Sequence, residues 1–80
     1  MTDQELLATF TRILRDLLAD DSILLGMDTT RSDVPDWDSF KYVTFIVSAE
    51  MELGIKFGVA DVESFQTVGD IVAEARRLLS

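Results

Sequence analysis

Leu6, Phe10, Ile13, Leu14 and Leu17 recur at intervals of three and four residues, and nothing else in this 80-residue chain restricts its fold as strongly. That spacing draws one apolar stripe along a helix, with Leu7 and Leu18 flanking it and Arg12, Arg15 and Asp16 lying off it. Thr2 followed by Glu5 supplies a capping box, in which the hydroxyl accepts an amide of the first turn and the carboxylate reaches back. The pattern predicts a helix over residues 3–19. Such a stripe needs a covering partner, so the rest of the chain must provide apolar faces of its own.

It provides two more. Residues Ser39–Leu53 contain the β-branched and aromatic run Tyr42-Val43-Thr44-Phe45-Ile46-Val47, which has strand propensity. Two helical stripes nevertheless run through it: Phe40, Val43, Ile46 and Val47, and Tyr42, Phe45, Ala49 and Leu53. The segment is too long for a typical strand and ends on Gly54, a helix stop. Thr67, with Asp70 three residues on, opens a last helix whose stripe is Val68, Ile71, Val72, Ala75, Leu78 and Leu79. Arg76 and Arg77 fall at its C-terminus, where the helix dipole favours cations. Val59–Glu63 fits one short helix and Ser64–Thr67 a turn.

Residues 20–38 connect the first two helices and are rich in Asp, Gly, Thr, Ser and Pro. Unstructured loops of this length are uncommon in small domains and tend to be functional or disordered. Ile23, Leu24, Leu25, Met27, Val34 and the single Trp, Trp37, are expected to pin it to the core. The fold expected is therefore all-α: one domain over residues 1–80, a small antiparallel four-helix bundle of three main helices and one short one, with a long loop between helices 1 and 2.

Composition narrows the function. With 48% hydrophobic residues the chain is not a disordered acidic tail. It has no Cys and no His, which excludes disulfides, the usual zinc sites, thiol catalysis and any Ser-His-Asp triad within the chain. Seven Lys+Arg against 15 Asp+Glu give a net charge of −8, which disfavours nucleic acid and anionic membranes and favours partners with basic docking surfaces. The acidic start Met1-Thr2-Asp3-Gln4-Glu5 is no signal-peptide n-region, and no apolar run approaches the ~20 residues of a transmembrane segment. A cytoplasmic, monomeric, non-enzymatic binding module is expected.

The candidate site is Ser39. A serine at the head of a helix is ordinarily an N-cap. Here it follows a long acidic loop, Asp38 precedes it, and Phe40 follows as the first member of an apolar stripe, expected to anchor inward while the hydroxyl faces out.

At this point the chain resembles the acyl carrier protein family. Trp37-Asp38-Ser39-Phe40 is similar to the family's Asp-Ser-Leu signature, Leu53-Gly54-Ile55-Lys56-Phe57 to its Phe-Gly-Ile stretch, and Thr67-Val68-Gly69-Asp70-Ile71 to the Thr-Val start of its final helix. The resemblance extends over nearly the whole chain. It implies 4′-phosphopantetheine joined to Ser39 through a phosphodiester, and cargo carried as a thioester. It implies as partners a phosphopantetheinyl transferase, an acyl- or aminoacyl-activating ligase, and a ketosynthase or acyltransferase. Asp38 is expected to cap the helix and to engage a cation or metal on the transferase. Asp36, Trp37, Asp38, Phe40, Lys41, Glu50 and Glu52 are the expected docking residues.

Departures from the family pattern refine the expectation. Phe40 replaces the usual Leu, as it does in D-alanyl carrier proteins. Lys41 follows the serine by two, while Thr44 and Met51 occupy positions that are commonly acidic in fatty-acid carriers. The docking face is thus part apolar and part basic, which points to a dedicated pathway and leaves an aminoacyl carrier as the alternative. Trp37 fits a loop anchor better than a docking residue, since aromatic burial is the commoner use. Phe40, Phe45, Phe57 and Phe65 read as core, or else as the lining of an acyl pocket. Asp20, Asp21 and Asp28 lack EF-hand spacing and read as a solvated acidic loop, and Asp33, Asp36 and Asp38 as loop caps and docking charges. An unmodified protein-interaction bundle and, with little support, a carboxylate-dependent enzyme are the readings from other classes.

Overall fold

The computed structural model describes all 80 residues. Thr2 and Glu5 close their capping box, the Thr2 hydroxyl accepting from the Glu5 amide and the Glu5 carboxylate from the Thr2 amide, and helix α1 runs Asp3–Leu18. It stops one residue before the expected end because Ala19 turns left-handed, with φ 52°. Helix α2 spans Ser39–Leu53, as expected, and ends on Gly54 at φ 66°, a conformation glycine adopts without a Cβ penalty. Helix α3 is Val59–Ser64, one residue longer than expected. Helix α4 is Val68–Leu79, headed by the Thr67–Asp70 capping box.

The helices are a four-helix bundle with no β-strand. Helix α1 packs against both α2 and α4. Fifteen buried apolar residues form one core, in which Leu6, Phe10 and Leu14 of α1 meet Phe45, Ile46 and Ala49 of α2 and Val68, Ile71, Val72 and Ala75 of α4. Phe10 and Phe45 meet edge to face, with ring centroids 5.6 Å apart. Phe57 is buried and its ring packs edge-on against half-buried Phe65, at 5.6 Å.

On α2 the fold covers the Tyr42, Phe45, Ala49 and Leu53 stripe together with Ile46, and leaves Phe40, Val43 and Val47 of the other stripe in water. Phe45, Ile46 and Ala49 are buried and Tyr42 and Leu53 half-buried, whereas Phe40 is 79% exposed. Phe40 therefore does not anchor the helix. The reason is geometric: α2 is apolar on most of its circumference, but α1 and the loop cover only one arc of it.

The long loop is more ordered than its composition suggests. Ile23, Leu25 and Trp37 are buried, but Leu24 and Met27 are exposed. Met27 holds the loop through its backbone instead: its carbonyl accepts the Gly69 amide at 2.8 Å, while the Thr29 carbonyl accepts the Val68 amide at 2.8 Å. An antiparallel bridge between Thr30 and Thr67 continues this seam, and a 3₁₀ turn at Arg31–Asp33 follows it. Propensity carries no signal for the bridge, which depends on the loop meeting the start of α4, whereas the 3₁₀ turn is local and carries its own Thr30–Asp33 capping box.

A Cβ added at Gly69 would lie 2.7 Å from the Met27 carbonyl oxygen, a backbone atom already fixed by the seam. Gly69→Ala gains about 1 kcal/mol of helix propensity but forces the loop off α4. A net loss of about 1–2 kcal/mol is expected, in the range of overpacked cores. Urea unfolding checks it, and an unchanged or higher midpoint would contradict the seam.

The same helix start makes the fold acid-sensitive. The Asp70 carboxylate accepts the Gln66 and Thr67 amides at 2.9 and 3.2 Å, and these bonds hold its pKa below the ordinary aspartate value. Glu5, Asp20 and Asp33 are lowered in the same way by bonds from Thr2, Ser22 and Thr30. A group whose pKa is depressed on folding stabilises the protein above its unfolded value, and that contribution is lost as pH falls through the folded value. Protonation also relieves the −8 net charge, which acts in the opposite sense. The melting temperature is expected to rise first as pH is lowered from 7, then to fall below about pH 4. In Asp70→Asn, whose side chain does not titrate, the acid limb of that curve becomes shallower.

Candidate functional site

The site begins with the turn that ends the loop. Pro35 and Asp36 are its central residues, closed by the Trp37 amide on the Val34 carbonyl at 3.3 Å. Proline suits the second position of such a turn, and Asp36 takes a positive φ of 70°, which Asp tolerates better than most residues. Trp37 then enters the core, only 4% exposed, edge-on to Phe45 at 5.2 Å and tilted against Tyr42 at 6.1 Å. It is a loop anchor. It does not belong to the docking surface expected of it, because a side chain this buried has no face left for a partner.

With Trp37 fixed in the core, the first turn of α2 is fixed too. Asp38 is the N-cap of α2, its carboxylate accepting the Lys41 amide at 2.9 Å. Ser39 is therefore the first helical residue, not the cap. It is exposed, and its hydroxyl takes no part in the side-chain hydrogen bonds around it. The ordinary use of a helix-start serine is thus filled by its neighbour. The Ser39 and Phe40 amides precede the first intrahelical donor, so the helix start offers an anion two donors and the positive end of the dipole.

Beyond Ser39 the outward face of α2 is apolar. Phe40, Val43, Val47 and Met51 are 79, 56, 46 and 80% exposed at spacings of three, four and four residues. Of the charged residues expected to dock partners, Asp36 is exposed and Lys41 half-exposed with no ion pair. The other two have structural partners inside the chain. Glu50 accepts the Phe57 amide at 2.8 Å, which ties the segment after Gly54 back to α2. Glu52 pairs with Arg12 of α1 at 2.8 Å, both side chains about half exposed, a bridge worth little on its own. Spacing alone puts Val43 and Val47 in a core stripe. Only the tertiary packing places them outside.

Beside Ser39 lies a groove of about 820 Å³ between α2, α3 and the Thr29–Ser32 part of the loop. Tyr42 crosses its floor and donates its phenol to the Val62 carbonyl at 2.8 Å, joining α2 to α3. Burial pushes the Tyr42 pKa up, against a smaller lowering by Arg31, so the phenol remains a donor. The Arg31 guanidinium carbon sits 5.3 Å from the Tyr42 ring centroid, a cation–π contact. Arg31 and Tyr42 carry no local sequence signal. The loop brings one to the other.

These features fit a module that presents a serine. The structure holds no cluster of side chains that could ligate a metal ion, and no helix is long and apolar enough to cross a membrane. No family model matches the chain. An acyl carrier protein of Kineococcus radiotolerans is 34% identical over 74 residues, which span 90% of this chain and 89% of that one. The solution structure of a holo acyl carrier protein from Geobacter metallireducens superposes with a TM-score of 0.84 at 34% identity, over 91% of this chain and 84% of that chain. Likeness of this extent in sequence and in fold, around an exposed serine released from capping duty, makes this chain a member of the acyl carrier protein family.

Proposed function

We propose that the chain carries an acyl or aminoacyl group as a thioester on 4′-phosphopantetheine attached to Ser39. The observation that carries this reading is the division of labour at the head of α2: Asp38 caps the helix and Ser39 presents an unengaged hydroxyl. The residues present suit the group. The Ser39 and Phe40 amides and the helix dipole favour a phosphodiester anion there. Nearby, the Trp37 indole N–H is buried without an acceptor, as a site that receives a polar group leaves it. Bound, the arm supplies the thiol that this Cys-free chain lacks. The chain's own residues hold the arm's root, keep the helix start in place and offer a surface to partner enzymes.

An intact-mass measurement after incubation with coenzyme A and a broad-specificity phosphopantetheinyl transferase tests the assignment. One added phosphopantetheine, mapped by proteolysis to Ser39, is expected. Modification at Ser32, Ser48 or Ser64 would sink it.

The partners in this reading are that transferase, an activating ligase, and a ketosynthase or acyltransferase. They dock on the face beginning at Asp36 and Asp38 and continuing along α2 through Phe40 and Lys41. The apolar stripe favours a dedicated pathway over housekeeping fatty-acid synthesis, since both α2 carboxylates, Glu50 and Glu52, are engaged within the chain. Binding through such a face depends on buried area more than on charge. Phe40→Ser is expected to lower kcat/KM for phosphopantetheinyl transfer about tenfold or more, the factor that corresponds to an exposed Phe buried in a complex. Its melting temperature should stay near the wild-type value, because Phe40 contributes little to the core. Equal kcat/KM for the two proteins would remove Phe40 from the docking surface.

A further inference from the structure

Seven cations stand against 15 carboxylates in this chain, and the fold uses most of them. Arg12, Arg76 and Arg77 pair with Glu52, Asp3 and Glu74, and Arg15 donates to the Ile23 carbonyl. Arg31, Lys41 and Lys56 have neither an ion pair nor a side-chain hydrogen bond. Two of these three flank the outward face of α2. Arg31 is exposed on the loop side, where it lines the same groove as Ser39 and Val43 and stands over the Tyr42 ring. Lys41 is half-exposed on the other edge, because two residues along a helix from Ser39 is a rotation of about 200°. Between the two edges run Phe40, Val43, Val47 and Met51. The carboxylates nearby do not answer these cations. Glu50 accepts the Phe57 amide, Glu52 pairs with Arg12, and Asp33 and Asp38 accept the Thr30 and Lys41 amides. Asp36 and Glu63 are exposed near Ser39, but neither forms an ion pair with Arg31 or Lys41.

We propose that Arg31 and Lys41 select the partner enzyme: one whose docking surface has an apolar centre, which covers the α2 stripe, and carboxylates on its rim, which pair with the two cations. This deepens the docking face proposed above and rests on it. The net charge of −8 favours basic surfaces at a distance, but that field is largely screened beyond about 8 Å at physiological salt. At contact the charges that meet decide, and a like charge set opposite an unpaired cation is costly. A basic rim would face Arg31 and Lys41 with no α2 carboxylate free to receive it. An acidic rim supplies the acceptors that both cations lack, and the Tyr42 ring already holds the Arg31 guanidinium in place.

The probe is a bacterial fatty-acid ketosynthase with a basic rim around its active-site mouth, together with a version of it whose rim Lys and Arg residues are changed to Glu. Each is titrated at physiological salt with holo protein whose mass shows one phosphopantetheine at Ser39. Affinity is expected to be about tenfold higher for the acid-rimmed form. In the double variant Arg31→Glu, Lys41→Glu that preference reverses, and in the milder pair Arg31→Gln, Lys41→Gln it disappears. Lys56→Glu, which removes the unpaired cation beyond the end of α2, keeps the wild-type preference. A wild-type chain that binds the basic form as well as the acidic one, or better, overturns the proposal, as does binding to neither. A preference that survives in both paired variants, or that Lys56→Glu also abolishes, overturns it too, and in each of these cases the carrier reading stands. Failure to gain mass at Ser39 overturns both.

Discussion

Ser39→Ala is expected to gain no phosphopantetheine under conditions that convert the wild-type chain completely, and to melt where the wild type melts. Both halves rest on one geometric fact. The hydroxyl at Ser39 is not the helix cap, since Asp38 accepts the Lys41 amide. Were Ser39 the N-cap, its loss would cost about 1 kcal/mol and the mutation would confound stability with chemistry. At the first helical position Ala is a good residue, so the variant keeps its fold and loses only the nucleophile. The converse variant, Asp38→Ala, should lose stability by about 1 kcal/mol, the usual effect of removing an Asp cap. Intact mass and thermal melts of both proteins separate the two roles. A Ser39→Ala protein that still acquires the arm would move the site elsewhere, and one that melts well below the wild type would return Ser39 to a capping role.

Phe45→Ala is expected to unfold most of the population at 25 °C. Phe45 is fully buried, and it is the ring on which the aromatic cluster converges, with Phe10 at 5.6 Å and Trp37 at 5.2 Å. Truncating a buried Phe costs about 3–5 kcal/mol, and a single core in a chain this small supplies no more than about 3–5 kcal/mol in all. The effect reaches the site through Trp37. With Phe45 gone the indole loses one wall, and the turn that delivers Asp38 and Ser39 loses its anchor. Tryptophan emission should move to longer wavelength as the indole meets water, and phosphopantetheine transfer should become slow in step with the folded fraction. Phe45→Leu, which keeps most of the volume, should fold and be modified. A Phe45→Ala protein with a sharp melt near that of the wild type would show that the core does not depend on this ring.

Local information is sufficient wherever a short stretch carries its own boundary. The Thr2–Glu5 and Thr67–Asp70 capping boxes, Gly54 after Leu53, and the stripes of α1 and α4 each declare an element without reference to the rest of the chain, and the elements lie where those signals put them. The Asp38-Ser39 pair is of the same kind, because a cap and the residue after it are defined within one turn. Family membership is legible for the same reason: its motifs are short and sit at the boundaries of these elements.

The tertiary structure decides which way side chains face and which residues meet. Two apolar stripes on α2 are equivalent by spacing. Only the position of α1 and the loop selects Phe45, Ile46 and Ala49 for the core and leaves Phe40, Val43 and Val47 in water. Glu50 and Glu52 read as free surface charges until the Phe57 amide and Arg12 arrive beside them from other parts of the chain. The Met27–Gly69 seam, the Arg31–Tyr42 contact and the unsatisfied Trp37 N–H arise in the same way, since each joins residues distant in sequence or depends on a wall that distant residues build. Periodicity and capping are properties of a helix taken alone, so the sequence determines them. Burial and pairing are properties of the assembled bundle, so they exist only once α1, α2, α4 and the loop have closed on one another.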